Sequence, residues 1–309
     1  MGLVLVTGGL GFVGRHVVGL LLDAGHTVQV IDSVDERVHH GSEPFMPAGV
    51  EVIRGRIGNV PPWRFKEAEY VIHLAAQVSV ADSASDPARY ITQNSLETAR
   101  FLLVLRQHAA NLQRAVVASS MSVYGDAGPM VKEDAPVAPA SVYGLTKYDQ
   151  ERLGLMWGEQ QGVSVAALRF FNIYGEWQAL HNPYTGVLAN FAQKLLADQS
   201  PIIFEDGLQT RDFIHVLDVA QAVITATFHQ AQGAFNVCTG IPTTILKAAR
   251  TLAAALGKDI APAITGETRK GDIRHCTGDP QKMFEAMRWG AKVSFHDGME
   301  RYARWLLKT

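Results

Sequence analysis

The sequence predicts an α/β fold, a doubly wound parallel sheet with a smaller C-terminal lobe. Three observations carry that reading. Short, mostly apolar runs alternate with amphipathic segments from Leu3 to Leu168. A glycine-rich turn, Thr7-Gly8-Gly9-Leu10-Gly11-Phe12-Val13-Gly14, joins the first apolar run to the first amphipathic segment. No apolar run approaches the roughly 20 residues of a membrane span, so these runs belong in a sheet covered on both faces.

Leu3–Val6 is continuously apolar and reads as a buried strand, followed by an amphipathic helix from about Phe12 to Ala24. Val28–Ile31 is the second strand and Val50–Ile53 the third. Pro61-Pro62 interrupts the helix expected next. Tyr70–Leu74 is the fourth strand, and a helix from about Ala88 to His108 leads to the fifth at Ala115–Ala118. Ser141 is an N-cap residue for a helix from Tyr143 to Gln160, and Val165–Leu168 is the sixth strand.

Beyond Gly175 the alternation breaks. Residues 181–186 read as loop, Gly207 marks a turn, and Leu246–Leu256 is a helix before a Pro/Gly-bearing stretch, Ala261–Gly271. The expected organisation is a dinucleotide-binding domain over 1–175, to which 211–240 returns, and a lobe over 176–309. The lobe should stand against the strand C-terminal ends, where open α/β sheets bind ligands.

Length and composition fit this plan. The chain has 309 residues, 47% of them hydrophobic, enough for a large core. A net charge of −2 gives no electrostatic reason for a nucleic acid or anionic membrane partner. Cys238 and Cys276 are its two cysteines and make neither a disulfide framework nor a thiolate metal site. The eleven histidines are scattered, so no metal is expected. Leu3–Val6 is too short for a signal peptide, and Val6 stands where myristoylation asks for Ser or Thr. A reducing, cytoplasmic setting follows.

Gly8, Gly11 and Gly14 permit a tight turn, close backbone approach to a pyrophosphate and close helix–strand packing. The phosphates then meet free N–H groups at a helix N-terminus. Asp32 ends the second strand, where a carboxylate accepts from the ribose hydroxyls and repels a 2′-phosphate, favouring NAD over NADP.

Tyr143 and Lys147 stand four apart on a helix and share a face. Of the eight tyrosines, Tyr143 alone has a lysine at this spacing. A phenol with a pKa near ~10 is a poor base at neutral pH. A neighbouring ammonium, and the positive nicotinamide ring, are expected to favour the phenolate. Ser120, after the fifth strand, can hydrogen-bond the same hydroxyl and hold a substrate. Together these residues suit proton movement beside a nicotinamide, and so hydride transfer.

Over nearly its whole length the sequence resembles the extended short-chain dehydrogenase/reductases, specifically the NAD-dependent nucleotide-sugar epimerase/dehydratase family. The matching pieces are Gly8–Gly14, His73-Leu74-Ala75-Ala76, Ser119 to Gly125, Tyr143 to Lys147 and Arg169-Phe170-Phe171-Asn172. Gly207 to Val216 and Arg269-Lys270-Gly271-Asp272 match downstream. The resemblance implies a Rossmann domain, NAD contacts from Phe12, Val13, Ile57, Leu74, Ala75, Ala76, Asn94, Ser119 and Phe171, and a homodimer formed by the helices at 88–108 and 143–160. It implies substrate contacts from Ser120, Ser122, Asn172, Phe204, Arg211, Arg269 and Asp272 on a nucleotide-diphosphate sugar, with Cys276 against the sugar's C2 substituent. Dehydratases of the family carry Asp-Glu after the catalytic hydroxyl residue; here Met121 and Ser122 follow, which disfavours dehydration and decarboxylation. A UDP-hexose or UDP-N-acetylhexosamine 4-epimerase is the expected activity. The alternatives are a 4-keto-sugar reductase and, more remotely, a non-catalytic dinucleotide sensor. Gly55-Arg56 stands where the family has Gly-Asp, so adenine recognition is expected to differ.

Overall fold

The computed structural model describes residues 2–36, 47–180, 186–268 and 273–308. Strand β1 (Leu3–Thr7) runs into the glycine turn and helix α1 (Phe12–Asp23), then β2 (Thr27–Asp32) and β3 (Glu51–Arg54). In place of a helix after β3 come two short 3-10 turns, Ile57–Asn59 and Pro62–Phe65, the second opened by the proline pair. Strand β4 (Ala68–His73) is followed by α2 (Val80–Ser85) and α3 (Pro87–Tyr90).

The helix expected over 88–108 is continuous in direction but not in winding. A π-helical stretch, Ile91–Leu96, separates α3 from α4 (Glu97–His108). The wider turn turns Asn94 fully inward. Strand β5 (Arg114–Ser120) and α5 (Val142–Gln161) follow, the latter capped by Ser141, whose hydroxyl accepts from Gly144 N at 3.0 Å. Gly162 in the left-handed region ends α5. Then come β6 (Ser164–Phe170) and β7 (Asn172–Tyr174).

The remaining elements are α6 (Val187–Leu196), β8 (Ile202–Ile203), β9 (Thr210–His215), α7 (Val216–Phe228), β10 (Gly233–Val237), β11 (Pro242–Thr244), α8 (Ile245–Ala255), β12 (Ala263–Ile264), β13 (His275–Cys276), α9 (Gln281–Met287) and α10 (Phe295–Leu306). Seven strands form one parallel sheet in the order β10-β6-β5-β4-β1-β2-β3. The order reverses at β1, between β4 and β2, which opens a crevice above the strand C-termini.

Helices cover both faces. Helix α1 packs on α7, burying Val17, Val18 and Leu21 against Val219 and Val223. Each such side chain contributes roughly 1.5–3 kcal/mol when taken fully from water. The other face buries Phe65, Phe101, Leu105 and Trp157. Strand β10 closes the sheet edge beside β6, with Phe235 and Val237 in the α1 core. Met283, Met287 and Trp289, far along the chain, join that core as well. A separate cluster gathers α6, α8 and α10 around Tyr174, Phe213, Met299 and Tyr302.

Within the described residues no helix is long and apolar enough to cross a membrane, and no group of three or more His, Cys, Asp or Glu could hold a metal ion. Cys238 and Cys276 are free and buried.

Candidate active site

One cavity of about 790 Å³ runs along the strand C-termini. Its wall begins at the glycine turn. Gly8 has φ +70° and lies so close to the β4 loop that a Cβ would sit 2.8 Å from Ala75 N. A Cβ on Gly14 would fall 2.1 Å from Gly8 O, so the helix packs on its own turn only without a side chain there. Gly11 caps α1 with no side-chain hydrogen bond, leaving the first-turn N–H groups open toward the cavity. That cradle fits a pyrophosphate.

Asp32 sits at the β2 terminus and lines the cavity. Its Oδ2 accepts from Leu10 N at 3.0 Å and its Oδ1 from Val34 N at 2.9 Å. The turn N–H groups thus orient the carboxylate at the cavity wall, a position suited to ribose hydroxyls. Phe12, Val13, Ile57, Leu74, Ala75, Ala76, Ser119 and Phe171 line the same cavity. Asn94 does not. It is fully buried, accepting from Gln77 N at 2.7 Å and donating to Gln77 O at 3.1 Å and Thr146 Oγ1 at 3.0 Å. It shapes the wall through Gln77, which does line the cavity.

Ser120, Tyr143 and Lys147 converge on this space from the end of β5 and the first turns of α5. The Tyr143 ring meets Tyr90 edge-on at 6.4 Å. Burial pushes its phenol above the ordinary value, and the hydrogen bond with Ser120 opposes that rise. Lys147 lines the same cavity as Tyr143, and Gln150 holds its ammonium end. The residue is 3% exposed, its Nζ turns toward Gln150 Oε1 at 2.6 Å, and burial lowers its pKa to about 7. Sequence spacing gives the shared face but not where the flexible end of a lysine goes.

Gln150, missed by the sequence reading, ties this lysine to the glycine turn. Lys147 can only donate, so Gln150 presents Oε1 to it and turns Nε2 to His73 Nε2 at 3.1 Å, Ala75 O and Thr98 Oγ1. The His73 Nε2 that receives the amide leaves Nδ1 to donate to Thr7 Oγ1 at 2.7 Å. Burial and Lys147 lower the His73 pKa to about 3, keeping that ring neutral. The signal available was Gln150's place three residues after Lys147, on the same helix face.

Ser119 serves a second buried network. Its Oγ donates to Glu151 Oε2 at 2.7 Å, and Arg169 grips Glu151 with two bonds of 2.9 and 2.6 Å. Arg169 also donates to Tyr124 Oη and Glu133 O.

Substrate-side expectations divide. Asn172 lines the cavity, and its Oδ1 is buried with no partner in the protein; Gln178 Oε1, also on the wall, is likewise unsatisfied. Unpaired buried acceptors of this kind call for a bound donor. Met121 lines the wall, whereas Ser122 does not, its hydroxyl meeting Ser120 Oγ at 3.2 Å. Cys276 is 3% exposed and stands behind Met121, with its Sγ 3.0 Å from Met121 Sδ. Strand β13 pairs with β9 here and closes Cys276 into the sheet layer. Phe204 and Arg211 also fall outside the cavity wall; Arg211 Nη1 donates to Thr210 O at 2.8 Å. Arg269 and Asp272 lie outside the described residues.

Residues 4–238 match the family model described as NAD dependent epimerase/dehydratase family. A putative UDP-glucose 4-epimerase of Methanocaldococcus jannaschii is 32% identical over 309 residues, covering 98% of each chain. The UDP-glucose 4-epimerase of Thermotoga maritima, solved with UDP-glucose, superposes with a TM-score of 0.91 at 30% identity over 99% of both chains. The UDP-N-acetylglucosamine 4-epimerase of Methanobrevibacter ruminantium, solved with UDP-N-acetylmuramic acid, gives 0.91 at 30% identity over 99% of this chain and 98% of that one. With its glycine cradle, Asp32 and the Ser-Tyr-Lys set along one cavity, the chain belongs to the NAD dependent epimerase/dehydratase family.

Proposed function

We propose that this NAD-dependent nucleotide-sugar epimerase inverts C4 of a UDP-linked hexose or N-acetylhexosamine, with Ser120, Tyr143 and Lys147 as its catalytic residues. The observation that carries the reading is the Tyr143 phenol, hydrogen-bonded to Ser120 and lining the same cavity as the Gly8–Gly14 turn and Asp32. NAD, when bound, would supply reversible hydride acceptance. Tyr143 Oη, ionised under the positive charge that a bound nicotinamide ring and the Lys147 ammonium would bring, takes the proton from the sugar 4-hydroxyl and later returns it, and Ser120 Oγ holds the same oxygen in line. Lys147, anchored by Gln150, fixes the local charge around the phenol. Asn172 offers the substrate its unpaired Oδ1. Arg211, with Arg269 and Asp272, is assigned to the nucleotide pyrophosphate, where a guanidinium fork suits phosphate; Phe204 and Ser122 complete the sugar-nucleotide side.

Met121 and Ser122 follow Ser120, so neither acid nor base stands ready for dehydration. The test is NMR of the purified protein with UDP- and dTDP-sugars and no added cofactor. Equilibration of one C4 pair is expected, and turnover seen only with added reduced cofactor would show a reductase instead.

The enzyme is further assigned a homodimer. Ile91, Leu96 and Leu103 are 43–51% exposed along one helical run, and Leu145 and Met156 of α5 are 46% and 47% exposed. Aligned apolar side chains of this kind suit a helix-pair interface with a second copy. Two free, buried cysteines support a reducing, cytoplasmic setting.

A further inference from the structure

We propose that Glu97 recognises the adenine amino group of the cofactor. This rests on NAD as cofactor and is independent of which sugar is epimerised. Asp32 marks the ribose position. Strand β3 runs beside β2, with Arg54 opposite Asp32 and Gly55 N donating to Asp32 O at 2.9 Å. The base, one unit beyond the ribose, therefore lies over the Gly55–Ile57 turn, all three residues of which line the cavity.

An adenine offers one exocyclic N–H donor on its pairing edge and needs an acceptor for it. Arg56 cannot serve, because a guanidinium only donates. Asp35 turns to the opposite, β4, side, where Arg89 Nη2 and Gln77 Nε2 donate to it at 3.0 and 3.2 Å. Glu97 remains. It enters from the first turn of α4, lines the cavity, and its side chain is only 6% exposed.

Its position is fixed with acceptor capacity to spare. Oε2 accepts from Gly58 N at 2.9 Å and Oε1 from Arg100 Nη1 at 2.9 Å. A Cβ on residue 58 would sit 2.5 Å from Glu97 Oε2, so Gly58 is what lets the carboxylate come this close to the turn. Two oxygens carry four acceptor positions, and two are used. A buried carboxylate on the wall of the base site is thus set against a donor-bearing edge, and a charge-assisted bond of that kind is worth tenfold or more in binding.

The test is cofactor exchange. Purified protein is equilibrated with excess NAD and nicotinamide hypoxanthine dinucleotide in equal amounts. The bound pair is then released by acid and its ratio read by mass spectrometry. Hypoxanthine has the same size but replaces the amino group with a carbonyl, which faces the carboxylate acceptor to acceptor. Wild type is expected to enrich the adenine form at least ~10-fold. Glu97→Gln keeps an oxygen for Gly58 but turns an amide N–H toward the base, and is expected to bring the ratio within about threefold of unity. If Glu97→Gln does not fold, Glu97→Asp, one methylene shorter, is measured instead and must show a reduced preference. A wild type without preference, or a variant that retains it in full, overturns the assignment.

Discussion

Lys147 Nζ donates to Gln150 Oε1 across 2.6 Å, and both side chains are buried. Through His73 and Thr7 the contact continues to the glycine turn, so the active-site lysine and the cofactor cradle belong to one hydrogen-bonded unit. Because the lysine is buried, its charge has a folding consequence that can be measured.

The Lys147 pKa falls from 10.5 to about 7 on burial. Between those values the unfolded chain holds a proton that the folded chain does not, so this group makes stability rise with pH across that window. Below it, both states hold the proton and the folded state carries the full desolvation penalty. Lys147→Met is therefore expected to be relatively more stable than wild type at about pH 6, with the difference narrowing by ~1 kcal/mol or more by about pH 9. Thermal or urea unfolding of the two proteins at both pH values checks this, and a difference independent of pH would rule it out.

Tyr143→Phe removes the hydroxyl that moves the proton while leaving the ring against Tyr90. Turnover is expected to fall by at least ~10²-fold with substrate affinity nearly unchanged. Steady-state kinetics together with a direct binding measurement separate the two effects. Turnover within threefold of wild type would remove Tyr143 from the mechanism.

Glu151 neutralises Arg169 in the interior, the two side chains being 2% and 5% exposed. Glu151→Ala strands that guanidinium and the Ser119 hydroxyl at once. A loss of about 3–5 kcal/mol is expected, read by urea unfolding. Glu151→Met combined with Arg169→Met should recover part of it, since no uncompensated charge is then left buried. A single variant as stable as wild type would contradict the pairing.

Leu103 and Met156 are 51% and 47% exposed on the two helices assigned to the dimer. Leu103→Lys with Met156→Lys is expected to convert a dimer into a monomer in light scattering, while the far-UV spectrum is unchanged. A wild type that is monomeric at micromolar concentration would dispose of the interface.

Much of this protein was determined by local sequence. The apolar runs gave β1, β2, β4, β5 and β6 within a few residues, because a strand buried on both faces leaves a predominantly apolar signature. Gly8, Gly11, Gly14, Asp32, Ser120, Tyr143 and Lys147 were legible because each lies at a fixed offset from an element end, and all line the cavity. Tertiary structure alone decided the rest. The π-helical winding at Ile91–Leu96 buries Asn94 behind the wall, Gln150 claims the lysine, and Met121 rather than Cys276 faces the cavity. Glu97 reaches the turn at Gly58 from 39 residues away. Periodicity reports which face of an element is buried; what a side chain meets there depends on how separate elements cross, and no local pattern encodes that.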